Sequence, residues 1–358
     1  MNNLSITWSP RVTLRRGVLA LAVALTLAGA TPAMAANFGH IKVVGDGVAS
    51  SMTVDDLGHV HIVTGLDGGG LDYDTDASGH WTTQHIAGAS ALMPSVAVSG
   101  GKVYIAFARS GGAGQPGLGI RLLTNRTGPW TTTTITTGDD HWPSLRMRDG
   151  EYAIAYQDAL GVRYASDLGG THVDQRVWLR GTQLDMTDEH APVSLALDAA
   201  GRPRVAFERQ KGNGAPDGIG YARRVSGAWT RHRVASGTAP LDRIVVDGHD
   251  RARIGYGSSG RFRITTYTGD TKTTRTLPGS GFGTFTLDEH GYIQLLRVDE
   301  GTDHVTLLRQ KADGWHTTTW SDKQPRDPAV RADAGTAWVV YDRCCGGDPG
   351  QTVIRVRH

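Results

Sequence analysis

Cysteine is almost missing from this chain: 358 residues contain two, Cys344 and Cys345, side by side. That excludes a disulfide framework and a multi-cysteine zinc site. Phenylalanine and methionine are scarce, six of each. Beyond residue 35 no apolar run is long enough for a membrane helix. Neither sign of charge dominates: the formal net charge is +2, with no block of lysine and arginine. A nucleic-acid partner is therefore not expected. Helical spacing of apolar residues is rare, which sets aside a helical bundle. No cofactor and no metal is assigned. The nearest approach to a cation loop is Asp72-Tyr-Asp-Thr-Asp76, but Ala77 stands where such a loop needs glycine and no downstream Glu completes it. Strand alternation predicts all three of these carboxylates on the solvent side.

Glycine and threonine are abundant, and the first 35 residues differ from the rest. Arg11, Arg15 and Arg16 precede the apolar stretch from Val18 to Ala30, and Ala33-Met34-Ala35 supplies the small residues of a cleavage site. The pattern predicts a signal peptide over 1–35, cleaved after Ala35, and a secreted protein. Arg15-Arg16 leaves the twin-arginine route open. Residues 36–358 are expected to form one domain, with no membrane span and a net charge near zero.

A repeat runs through that domain. Pro94-Ser-Val-Ala-Val98, Pro143-Ser-Leu-Arg-Met147 and Pro192-Val-Ser-Leu-Ala-Leu197 share one slot with Ser51-Met-Thr-Val54, Leu241-Asp-Arg-Ile-Val-Val246, Thr284-Phe-Thr-Leu287 and Pro328-Ala-Val-Arg331. Each is followed by a short turn, a second apolar run, a third, and after another turn a fourth that often opens on tryptophan: Trp81, Trp130, Trp229. The runs have strand length and many alternate with period two. Four strands recurring every 40–60 residues is the signature of propeller blades. Phe38-Gly-His-Ile-Lys-Val-Val44 reads as an outer strand without a blade, and Thr352-Val-Ile-Arg-Val-Arg357 as a third strand lacking its fourth. The sequence thus predicts an all-β, seven-bladed β-propeller of four-stranded blades, closed by pairing of the N-terminal strand with the C-terminal blade.

Pro94-Ser-Val-Ala-Val98, Ala153-Ile-Ala-Tyr156, Gly161-Val-Arg-Tyr-Ala165 and Gly227-Ala-Trp-Thr230 resemble the scaffold of the sialidase-like, BNR-repeat-containing group of secreted carbohydrate-active propellers. The turns Ser226-Gly-Ala-Trp229 and Thr127-Gly-Pro-Trp130 lack the Asp box of true sialidases. The resemblance therefore implies the scaffold and a carbohydrate setting, not sialidase activity.

Turns between first and second strands, and between third and fourth, are short. The long segments (109–117, 178–190, 208–218 and 343–350) fall on the opposite rim, where function is expected. Asp67, Arg109, Asp158, Arg209, Asp342 and Arg343 stand at the ends of second strands there, and His141, Trp142 and His190 just before inner strands. Carboxylates, guanidiniums, imidazoles and an indole suit a polar ligand with an apolar face, so the expected partner is a glycan or cell-wall polymer. Three functions stay open: a lectin-like binder, a polysaccharide lyase or glycosidase, and a protein-interaction scaffold. In the enzymatic reading His141 and His190 serve as acid or base and Arg109 or Arg209 neutralises a uronate. Cys344 and Cys345 are either two thiols or a vicinal disulfide. Their Cα atoms lie about 3.8 Å apart across a trans peptide, below the usual disulfide range.

Overall fold

The computed structural model describes residues 42–357 except 47, 67–68, 88–90, 110–117, 126, 180–192, 211–215, 280–281, 300–302, 323–324, 334 and 346–347. Backbone alone is described for 42–50, 87, 282, 299, 325–327, 333 and 343–357. The chain divides into two units, Met1–Asn37 and Phe38–His358. The predicted signal peptide and cleavage site lie outside the described residues.

Every described element is a strand. The described residues open on β1 (Lys42–Asp46). The first blade is β2 (Val48–Val54), β3 (Val60–Leu66), β4 (Gly70–Thr75) and β5 (Thr82–Ala87); the second is β6 (Ala91–Ser99), β7 (Lys102–Arg109), β8 (Ile120–Thr124) and β9 (Thr131–Thr134). The third is β10 (His141–Arg148), β11 (Glu151–Asp158), β12 (Gly161–Ser166) and β13 (Val173–Leu179); the fourth is β14 (Val193–Leu197), β15 (Pro203–Gln210), β16 (Pro216–Val225) and β17 (Ala228–Ala235). The fifth is β18 (Leu241–Val246), β19 (Ala252–Ser258), β20 (Arg261–Thr268) and β21 (Thr271–Thr276); the sixth is β22 (Phe282–Leu287), β23 (Ile293–Asp299), β24 (His304–Lys311) and β25 (Gly314–Ser321). Last come β26 (Pro325–Asp333), β27 (Thr336–Cys345) and β28 (Asp348–Arg357).

The protein is an all-β propeller with four-stranded blades, but the expectation of a closed, seven-bladed ring needs correction. Six sheets are each built from four consecutive strands. The seventh has the order β1-β28-β27-β26, and its outer strand is borrowed from the start of the chain. Lys42 lies opposite Ile354, and a bulge interrupts the register between Val43 and Gly45. The side chains of β1 and β28 are outside the described residues. The described architecture is therefore six blades and a partial seventh. The physical reason is that the four-strand repeat runs without a break only from β2 to β25, and the remaining strands come from two chain ends.

Burial follows position within a blade. Second strands are covered on both faces by neighbouring blades, so Val103 to Ala108 are all buried. Outer strands meet solvent: Thr131–Thr134 and Thr271–Thr276 are exposed throughout. Threonine suits that place, because its branched Cβ fits a pleated strand while its hydroxyl stays wet. Clusters such as Val63, Leu71, Val96, Ile105 and Phe107 join one blade to the next.

The recurring serine of the inner strands has a structural task. Ser51 Oγ accepts the Val96 N–H (3.2 Å), Ser95 Oγ that of Leu145 (3.0 Å), Ser144 Oγ that of Leu195 (2.9 Å) and Ser194 Oγ that of Ile244 (3.0 Å). Asp242 Oδ2 takes over in the fifth blade and accepts from Phe285 N–H at 3.1 Å. Each bond satisfies an inner-strand donor of the following blade, worth about 1 kcal/mol net.

Short turns on one rim repeat a second device. Asp198 Oδ1 accepts the Ala200 and Arg202 N–H groups, and its Oδ2 accepts from the Arg202 and Arg204 side chains. Asp247 does the same with His249, Arg251 and Arg253. Arg204 also bridges to Asp250 of the next blade at 2.7 Å.

Candidate functional site

The rim opposite those turns carries the long connections, as the strand ends require. There the head of β10 brings together the clearest group of chemistry-bearing side chains. His141 lies opposite Gln157, and a bulge separates it from Ser144. The bulge puts Trp142 at φ 55, an unusual conformation for a bulky side chain. Met93 occupies the same slot of the second blade at φ 54, so the kink belongs to the scaffold and the indole is what the third blade adds.

His141 Nε2 is 2.8 Å from Asp139 Oδ1, and the ring and the indole are both half-buried. Beside them Asp140 is buried and takes the Thr136 hydroxyl. Burial raises its carboxyl above the ordinary range and the nearby Asp158 charge adds to this; the Thr136 and Gly138 hydrogen bonds oppose it. Gln157 is buried at the neighbouring strand end. His141 and Trp142 thus offer an oriented imidazole and an aromatic face, backed by a buried amide and a buried carboxyl with raised proton affinity.

The other sequence candidates fare differently. Asp158 is held by Arg176 and, at 3.8 Å, by Arg163, which also binds Asp174 at 2.9 Å. Arg209 pairs with Asp217 at 3.1 Å. Asp342 is buried, not displayed at the rim. Arg109 is exposed near the like charge of Arg121. Asp67 and His190 lie outside the described residues, as do the side chains of Arg343, Cys344 and Cys345. So His141, Trp142 and Asp158 share one corner, while Arg209 is engaged in its own ion pair. Asp140 is a neighbour the sequence reading passed over. The signal for it was the run Asp139-Asp140-His141-Trp142, too polar for plain strand entry.

The Asp72–Asp76 expectation is also corrected. Asp74 is fully buried and takes the Thr83 hydroxyl, Asp72 meets His85 Nδ1 at 3.0 Å, and Asp76 accepts the Val60 N–H at 2.7 Å. The face of β4 that alternation assigned to solvent is covered by the neighbouring sheet. Among the described residues no group of three metal-ligating side chains occurs, and no helix is long and apolar enough to cross a membrane. A cavity of about 500 Å³ opens on the turn-bearing rim between the third and fourth blades, lined by Arg148, Glu151, Tyr164, Arg202 and Arg224 among others.

No protein-family model and no curated protein matches the chain in sequence. Solved structures do match in fold. A catalytically inactive virginiamycin B lyase from Staphylococcus aureus, with quinupristin, covers 89% of this chain and 99% of its own at 13% identity and TM-score 0.60. A polysaccharide lyase of family PL25, an ulvan lyase, covers 88% of this chain and 94% of its own at 11% identity and TM-score 0.58. Aleuria aurantia lectin covers 76% and 94% at 11% identity and TM-score 0.52. At such identities the likeness is one of fold.

Proposed function

We propose that this is a secreted, lectin-like propeller that binds a glycan or cell-wall polymer at the corner formed by His141 and Trp142. One observation carries the reading. Trp142 and His141 stand half-exposed at one strand head, backed by Asp140 and Gln157, while Asp158 and Arg209 are engaged in ion pairs. A sugar ring presents C–H bonds on its face and hydroxyls at its edge. The indole suits the first and the imidazole the second. The fold neighbours are compatible with a saccharide: one ulvan lyase structure is bound to -[GlcA(1-4)Rha3S]- and the Aleuria lectin to α-methyl-L-fucoside. The sequence resemblance to sialidase-like secreted propellers points the same way.

The test is a glycan array on the purified protein, followed by titration of any hit. Trp142→Ala is expected to weaken binding tenfold or more, and His141→Ala several-fold. A hit that both variants bind like the wild type would overturn this placement of the site.

A second reading is favoured by the Asp139–His141 contact. A carboxylate that holds an imidazole in one orientation places it to act as a base, which a polysaccharide lyase needs. In that case acidic polysaccharides give unsaturated, ultraviolet-absorbing products, and Asp139→Asn lowers the rate more than it lowers affinity. N-terminal sequencing of exported protein is expected to begin at Ala36.

A further inference from the structure

Inner strands of a propeller stand around its axis, and their repeat slots can be compared one by one. Two residues past the ladder serine, Thr53, Ala97, Ala196, Val245 and Thr286 are small or uncharged, but the third blade carries Arg146 and the partial seventh carries Arg331. In the serine slot itself the fifth blade carries Arg243. These three arginines come from blades that are not neighbours, yet their charges act on one another. Only the central channel lets side chains from such blades converge.

The counter-charge there is thin. Asp242 is the carboxylate in reach, 3.5 Å from Arg243 Nε, and it already accepts from Phe285 N–H. Among the described residues Arg146 and Arg331 have no ion pair. Each turns back to its own strand: Arg146 Nη1 donates to Leu145 O at 2.7 Å, and Arg331 Nη1 to Val330 O at 3.0 Å. Both side chains are half-buried. Burial, with the repulsion of Arg243 added, brings the Arg146 guanidinium down to about 10, and burial plus Arg243 and Arg146 push Arg331 well below its ordinary value. Cations held this way are costly unless an anion joins them.

We propose that the channel is a binding site for a tetrahedral oxyanion of the phosphate or sulfate class, gripped between Arg146, Arg331 and Arg243. Guanidinium forks match such oxygens in bidentate fashion, and small residues in the equivalent slots of other blades leave room. One anion would balance the two charges that Asp242 leaves over. Arg146 lies about 13 Å along β10 from Trp142, at roughly 3.3 Å per residue, so the site sits within the channel below the rim and is separate from the proposed glycan corner.

The experiment is calorimetric titration of the purified protein with inorganic phosphate, inorganic sulfate and a sulfated monosaccharide, with chloride holding ionic strength constant. Saturable binding of an inorganic ion is expected. Binding of the sulfated sugar alone also supports the site and identifies the group as one carried on a saccharide. Arg146→Met with Arg331→Met is expected to weaken binding at least a hundredfold, and Arg146→Lys, which keeps charge but loses the fork, about tenfold. Should the methionine pair fail to fold, the lysine variant and Asp242→Asn, expected to tighten binding several-fold, decide the matter. No saturable binding of any probe, or affinity indifferent to these substitutions, would overturn the proposal. Trp142→Ala tests the glycan reading alone, so failure of one idea is distinguishable from failure of the other.

Discussion

Ser144 accepts a backbone N–H from Leu195, a residue of the next blade. Replacing it with alanine leaves a part-buried donor without its acceptor, which costs on the order of 1–3 kcal/mol; chemical denaturation of Ser144→Ala is expected to show a midpoint lowered accordingly. Gly218 is a second such point. Its φ is +102, and a Cβ there would lie 2.0 Å from Ala235 O, so Gly218→Ala is expected to be less stable than Ser144→Ala in the same assay. Ser144 was legible in the sequence as a member of a repeat, and Gly218 as the end of a long connection. Their tasks were not, because the partner of each sits on another strand, and for Ser144 some 50 positions away. The same limit explains Asp342 and Asp158. At a strand end a displayed carboxylate and a buried or bridged one look alike until the neighbouring strand is in place. The channel arginines, by contrast, break the repeat where other blades keep small or uncharged residues, and comparing slots exposes them without coordinates.

At the scale of elements, alternation and turn residues located most strands, since a strand packed between blades needs apolar side chains whatever its detailed contacts. Alternation misled at β4: in a radial sheet both faces meet a neighbour, so a polar set such as Asp72 and Asp74 does not mark a wet side. The sequence pattern also indicated that the first and last strands meet, but not that the sheet they share would fall short of a blade equal to the other six. β1 is five residues long and covers one edge of β28. Deleting residues 42–46 is expected to lower the melting temperature by several degrees and to promote self-association seen by light scattering, because an uncovered edge offers unpaired N–H and C=O groups to another chain.

For the whole molecule, pH is the variable that gathers the separate carboxylates into one response. Burial would raise Asp198 and Asp247, but hydrogen bonds from backbone N–H groups and arginines hold both below the ordinary 3.8. Their contribution is complete above about 4 and is lost as pH falls further, since the unfolded chain then binds the protons first. Asp242 works in the other direction: burial lifts it to about 6 against the opposing effect of Arg243, so its ionisation costs stability as pH rises from 3.8 through 6. Asp140, also raised by burial, adds to that decline. Melting curves across pH are thus expected to fall steeply below 4 and to decline gently between 4 and 6; Asp242→Asn is expected to lessen the gentle decline and leave the steep one. The pairing of Lys42 with Ile354 has a further consequence, in time rather than in energy. β1 needs β28, about 300 residues further along the chain, as its partner. Six sheets can assemble from consecutive strands, but the remaining one must wait until β28 has been made. A chain cut short before β28 would keep its six finished sheets and an orphaned first strand.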